Sequence, residues 1–139
     1  MKKLLALAAV SLSVGLPLAL DTPTTAHAAK WHQGTPKVLR GTWERMETVG
    51  KGQNAFKAPE VAKITKSKFT AYFIADPYML GKLKYQKTGK HVYVFKGIET
   101  LYSHKPDRVR VHQVGKRLQW QEHYKAGRYL KMGLWLTKK

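Results

Sequence analysis

Beyond residue 28 the chain alternates apolar and polar residues in short runs, and no stretch sustains a helical period of 3.6. Val109, Val111 and Gln113 alternate with Arg110 and His112. Leu118, Trp120 and Tyr124 alternate with Arg117, Gln119, Gln121 and His123. Leu130, Met132, Leu134 and Leu136 alternate with Tyr129, Lys131, Gly133 and Trp135. Gly115-Lys116 and Ala126-Gly127 separate these runs as tight turns, so the C-terminal third predicts an antiparallel meander. By parity, Leu118, Trp120, Leu130, Met132, Leu134 and Leu136 face the core, and Arg117, Gln119, Gln121, Lys131 and Trp135 face solvent.

Upstream, a strand is expected over about Val38–Val49, followed by a loop at Gly50-Lys51-Gly52-Gln53-Asn54 and a short irregular piece ended by Pro59. Val61–Thr65 and Phe69–Ile74 predict a hairpin across Lys66-Ser67-Lys68. Asp76-Pro77 and Lys105-Pro106-Asp107 read as breaks, with strands at Lys82–Gln86 and His91–Phe95 between them. Ile98–Tyr102 fits either a strand or a helical turn. The sum is seven or eight strands at about 8–12-residue spacing, the pattern of an all-β barrel or sandwich. Closing the meander into a single small up-and-down barrel removes its edges, so the barrel is preferred.

The first residues carry an address. Met1-Lys2-Lys3 precedes a mostly apolar run, Leu4–Leu20, and Ala26-His27-Ala28 fits a small-residue cleavage pattern. The expected organisation is a signal peptide over 1–28, an N-terminal segment over 29–37 and a β-barrel domain over 38–139. This implies a secreted, extracellular protein, free or held at the cell surface by charge.

Charge is the outstanding compositional feature. The chain has 26 Lys and Arg against 8 Asp and Glu, formally +18. Cleavage would remove Lys2, Lys3 and Asp21, leaving 24 against 7, a formal +17. Twenty of the basic residues are lysines, compact point charges suited to diffuse attraction rather than to bidentate readout. A net charge of about 2–8 suffices for solubility in a small domain, so the excess suggests use. Outside a membrane the available polyanions are cell-wall polymers and membrane-surface anions. No specific nucleic-acid partner and no oligomer are expected.

Recognisable catalytic chemistry is sparse. With no cysteine there is no disulfide, thiolate metal site or cysteine nucleophile. His32, His91, His104, His112 and His123 show no metal-ligand spacing, and Ser67 and Ser103 lie in no nucleophile motif. Glu44 and Glu47 fall on opposite faces of a strand. The reading is of a non-enzyme without metal or cofactor. Trp135 and Tyr129 beside Lys131, and the lysines Lys63, Lys66 and Lys68, are candidate surface-binding residues for a sugar, lipid or polymer anion.

Two resemblances add to this. Gly41-Thr42-Trp43 at the head of the first long strand resembles the G-x-W signature of lipocalins and related calycin barrels. That resemblance implies that Trp43 packs across one barrel end beneath a basic side chain from near the last strand, here Arg128, with Gly41 beside it. Trp31-His32-Gln33-Gly34-Thr35-Pro36-Lys37-Val38-Leu39-Arg40-Gly41-Thr42-Trp43 is similar to the opening of short, secreted, basic proteins of lactic acid bacteria. It implies a lipocalin-like barrel and carries no activity. Together these readings point to a basic binding protein of the cell surface, with two alternatives: a carrier of a small apolar ligand, or a secreted cationic effector.

Overall fold

A computed structural model describes residues 29–74, 77–123, 128–130 and 133–139. The predicted signal peptide, Asp76, Tyr124, Lys131 and Met132 therefore lie outside the described residues. The elements are β1 (His32–Gln33), a 3₁₀ turn (Lys37–Leu39), β2 (Gly41–Val49), a second 3₁₀ turn (Gly52–Asn54), β3 (Phe56–Ile64), β4 (Phe69–Tyr72), β5 (Tyr78–Gly89), β6 (Val92–Glu99), β7 (Pro106–Val114), β8 (Arg117–Glu122) and β9 (Leu136–Lys138). Strands β2 to β9 pair antiparallel with their sequence neighbours, and β9 returns to β2. The result is a closed, eight-stranded, lipocalin-like barrel, with β1 added along the second half of β5. Among the described residues no helix is long and apolar enough to cross a membrane.

The pairing register stacks apolar residues into inward rows. One row runs Gly41–Ile64–Phe69–Leu80 and the next Trp43–Ala62–Ala71–Tyr78. Across the barrel, Tyr85–Phe95–Val109 and Tyr93–Val111–Trp120 answer them. Phe69 meets Phe95 and Trp120 edge-on, with ring centroids 6.2 and 5.3 Å apart. Trp43, Phe69, Phe95, Leu83, Val109, Val111, Leu118 and Leu136 are all fully buried, so side chains fill the interior.

The N-terminal motif closes one end of this barrel. The N–H of Gly34 donates to the Leu83 carbonyl at 2.7 Å, and a Cβ at Gly34 would lie 2.7 Å from the Lys66 carbonyl oxygen. Buried Thr35 donates its hydroxyl to the Thr65 carbonyl at 2.6 Å, and the Arg40 guanidinium donates to the Thr35 carbonyl at 2.7 Å. Leu39 plugs the core, and its carbonyl accepts the indole N–H of Trp43 at 2.9 Å. The G-x-W tryptophan is thus fully buried and bonded to the residue that plugs the core. The cation over its ring is not Arg128, which is exposed, but Lys138, whose Nζ lies 5.2 Å from the ring centroid. Lys138 sits opposite Trp43 across the β2–β9 ladder, so register selects it.

Several expected boundaries move. Val38 belongs to the 3₁₀ turn, and Pro59 lies inside β3. Strand β4 pairs only with Val61–Ile64, so Pro59 has no ladder partner on that side, where proline is tolerated. Pro106 opens β7 instead of breaking the chain, the first strand position being open to proline. Ile98 and Glu99 finish β6, and 100–105 is a loop. The last strand is shorter than its alternation suggests, and Leu130 and Leu134 are exposed, not inward. The side-chain amides of Gln119 and Gln121 donate to the carbonyls of Gly133 and Leu130, at 3.0 and 2.7 Å. These bonds hold Leu130 and Gly133 beside β8, and the period-two rule fails at Leu130 and Leu134.

Candidate functional site

None of the six described carboxylate side chains is exposed, and five of them have side-chain partners. Glu47 pairs with Arg45, whose Nε is 3.9 Å from Glu60. Burial pushes the Glu60 carboxyl up, Arg45 pulls it down, and Glu47 adds to the rise. Asp107 accepts the Tyr78 hydroxyl at 2.8 Å and the Arg108 N–H at 2.7 Å, with His123 Nδ1 at 3.8 Å. Burial first, then Asp107, raise the Tyr78 phenol far above its ordinary range. Burial, reinforced by Asp107, also raises the Glu122 carboxyl, which has no hydrogen-bonded partner among the described residues. Glu44 holds the Lys139 ammonium at 2.7 Å.

Glu99 is spent on the loop that follows it. Its carboxylate accepts the N–H groups of Leu101, Tyr102 and Ser103 at 2.6, 2.9 and 2.6 Å. Burial opposes the charge, but these donors prevail and hold the carboxyl down at about 2. The lysines are disposed the other way: all those described are exposed except Lys96 and Lys138, which are half-buried. Among the described residues the acidic side chains are buried or half-buried and most lysines are exposed, so the described outer surface is left positive.

On the outer face of β5, β6 and β7 the charges form a row. Lys84 is directly opposite Lys96, and Lys96 directly opposite Arg108. Directly opposed residues of neighbouring strands share a face, and like charges so placed destabilise by roughly 0.2–1 kcal/mol per pair. A bulge enlarges the row into a groove. Between the pairs Gly81–Ile98 and Lys84–Lys96, β5 takes three steps while β6 takes two. The extra residue puts Lys82 at φ +52°, left-handed backbone that costs about 1–3 kcal/mol away from glycine. The neighbouring Leu83 turns into the core, its N–H and carbonyl taken by Ser67 and Gly34 at 3.3 and 2.7 Å.

Opposite the bulge stands Gly97, where a Cβ would fall 2.4 Å from the Gly81 carbonyl oxygen and 2.9 Å from the Leu83 side chain. Only glycine lets β5 and β6 approach so closely there. The groove has a volume of about 700 Å³, and Lys82, Lys84, Lys96, Arg108, Gly97 and Ile98 line it. Pro106, Asp107 and His123 complete the lining. The Lys96 ammonium rests 4.0 Å from the Trp31 ring centroid, which fixes its position.

The binding residues expected from the sequence are placed elsewhere. Trp135 is half-buried, with its ring against His112 at 5.3 Å and beneath the Arg117 guanidinium at 5.0 Å. Tyr129 packs on His123, with the Arg110 guanidinium 4.1 Å from its ring centroid. Neither ring is a bare stacking platform. Lys131 lies outside the described residues. Lys63, Lys66 and Lys68 are exposed on the β3–β4 hairpin, as expected, but do not line the groove. Lys82 and Lys84 fall within the strand expected over Lys82–Gln86. Their meeting with Lys96 and Arg108 needs the register, for which the sequence carries no short-range signal. Among the described residues no His, Asp or Glu cluster could hold a metal ion.

Compared with protein-family models, curated proteins and solved structures, the chain matches none.

Proposed function

We propose that this is an exported, non-enzymatic binding protein that attaches to anionic polymers of the cell surface through its outer basic face. The observation that supports it best is the separation of charge just described. Of the described carboxylates only Glu44 pairs with a lysine, Lys139, and a row of opposed cations is maintained on three adjacent strands. A protein using lysine only for solubility has no reason to align like charges across a ladder. The filled interior favours this reading over that of a carrier enclosing an apolar ligand. Membrane-surface anions remain within the same chemistry.

The test is binding of the purified protein to cell walls with and without their anionic polymers. Binding that needs the polymer and is lost in 1 M salt is expected, since the Debye length falls from about 10 Å at 0.1 M to about 3 Å there. Equal binding to polymer-free walls overturns the reading.

A further inference from the structure

We infer that the groove at the β5 bulge is a discrete site for a phosphodiester, its phosphate bridging Lys84, Lys96 and Arg108 and its neutral substituents lying against Ile98 and Pro106. This rests on the polyanion reading but asks more of it: one built site, not only a charged surface. Three observations carry it. First, the three cations come from three neighbouring strands spaced about 4.8 Å apart, so their stems span roughly 10 Å on one face. A tetrahedral anion offers oxygens in several directions and can meet donors from more than one strand, whereas a planar carboxylate is satisfied by a single guanidinium fork.

Second, the groove is constructed. The bulge, the left-handed backbone at Lys82 and the close packing of Gly97 all act at the same point, and bulges commonly re-aim side chains beside functional sites. The N-terminal motif braces that point, since Gly34 bonds to the bulged residue Leu83 and Gln33 pairs with Lys84. Third, the space exceeds what a lone phosphate needs. About 700 Å³ is within the usual 300–1,000 Å³ of small-molecule sites, and Gly97, Ile98 and Pro106 add uncharged lining suited to ester substituents. The one carboxylate in the lining, Asp107, is held by the Tyr78 hydroxyl and the Arg108 N–H.

The experiment titrates ¹⁵N-labelled protein with bis(glycerol) phosphate, a soluble diester, with glycerol as the uncharged comparator. Saturable amide shifts centred on Lys84, Gly97, Ile98 and Arg108 are expected with the diester and not with glycerol. The pair Lys84→Gln and Lys96→Gln should weaken binding at least tenfold. Lys51→Gln with Lys57→Gln, an equal charge change on exposed residues away from the groove, should weaken it less than twofold. Shifts that never saturate, or equal loss from both pairs, overturn the inference. Competition identifies the natural source: the diester should displace the protein from a phosphodiester wall polymer or from phosphatidylglycerol vesicles, and displacement from neither overturns the inference. If wall binding persists while the groove variants behave like wild type, the discrete site falls and the wider reading stands. If polymer-dependent wall binding is absent, the wider reading falls.

Discussion

Replacing Lys96 with glutamate should make the protein more stable and a poorer binder. Lys96 lies between Lys84 and Arg108, directly opposite both. Lys96→Glu therefore turns two repulsive cross-strand pairs into two attractive ones. Each opposed pair shifts stability by roughly 0.2–1 kcal/mol in either sense. Lys84 and Arg108 are exposed and Lys96 half-buried, which keeps both pairs toward the lower end of that range, so the two reversals together amount to about 1–2 kcal/mol. The substitution forfeits the Lys96–Trp31 contact, about 0.5–1 kcal/mol. The net gain is about 1 kcal/mol, or roughly 4 °C in Tm for a domain of this size. Thermal and urea unfolding at low salt and at 1 M salt would measure it. Lys96→Gln, which removes repulsion without adding attraction, should fall between wild type and Lys96→Glu, and the gain should shrink at 1 M as the charges are screened. The glutamate variant should also lose affinity for anionic polymer. A less stable Lys96→Glu protein at low salt, or a gain indifferent to salt, would refute the argument that the row is strained. A stabilised variant with undiminished binding would refute the functional reason for the row.

Trp43→Ala should cost about 3–5 kcal/mol, as truncation of a large buried aromatic does, and Trp43→Phe about 1–3 kcal/mol for the unsatisfied Leu39 carbonyl; equal Tm values for wild type and the alanine variant would remove Trp43 from the barrel seal. The Glu99 carboxyl lies at about 2 in the fold against an ordinary 4.5. Its stabilising effect is full above about pH 4.5 and is lost as pH falls toward 2, because the unfolded chain takes up the proton first. Glu99→Gln should therefore flatten that part of the acid-unfolding curve and speed hydrogen exchange at Leu101 and Ser103, and an unchanged acid limb would contradict the assigned anchoring role.

The barrel was legible because strands announce themselves by alternation, as in Arg117–Trp120, where Leu118 is fully buried between two polar neighbours. Alternation misled at Leu130 and Leu134; bonds from Gln119 and Gln121 hold Leu130 and Gly133, and no local pattern reports them. Trp43 was identifiable as a packing residue, yet its cation was missed: the ladder brings Lys138 across from it, a pairing between residues 95 positions apart in the chain. The candidate groove was hidden for the same reason. Lys84, Lys96 and Arg108 are unremarkable singly; the bulge between Gly81 and Lys84 sets Lys84 opposite Lys96, and the regular β6–β7 ladder sets Lys96 opposite Arg108. The N-terminal motif, silent about activity in the sequence, acquires a structural meaning as the clasp that closes the barrel end and braces that bulge.

The most direct test of the account is the salt dependence of binding to a purified phosphodiester polymer. Affinity should fall linearly in log–log form as salt rises, with a slope of magnitude about 2 or more, because each phosphate contact contributes roughly 0.7 on a single-stranded polyanion and the row alone supplies three cations. The slope should drop by about 1.4 when Lys84 and Lys96 are neutralised together. Affinity that stays constant from 0.1 M to 1 M salt, in wild type and variant alike, would contradict the claim that this surface exists to hold a polyanion.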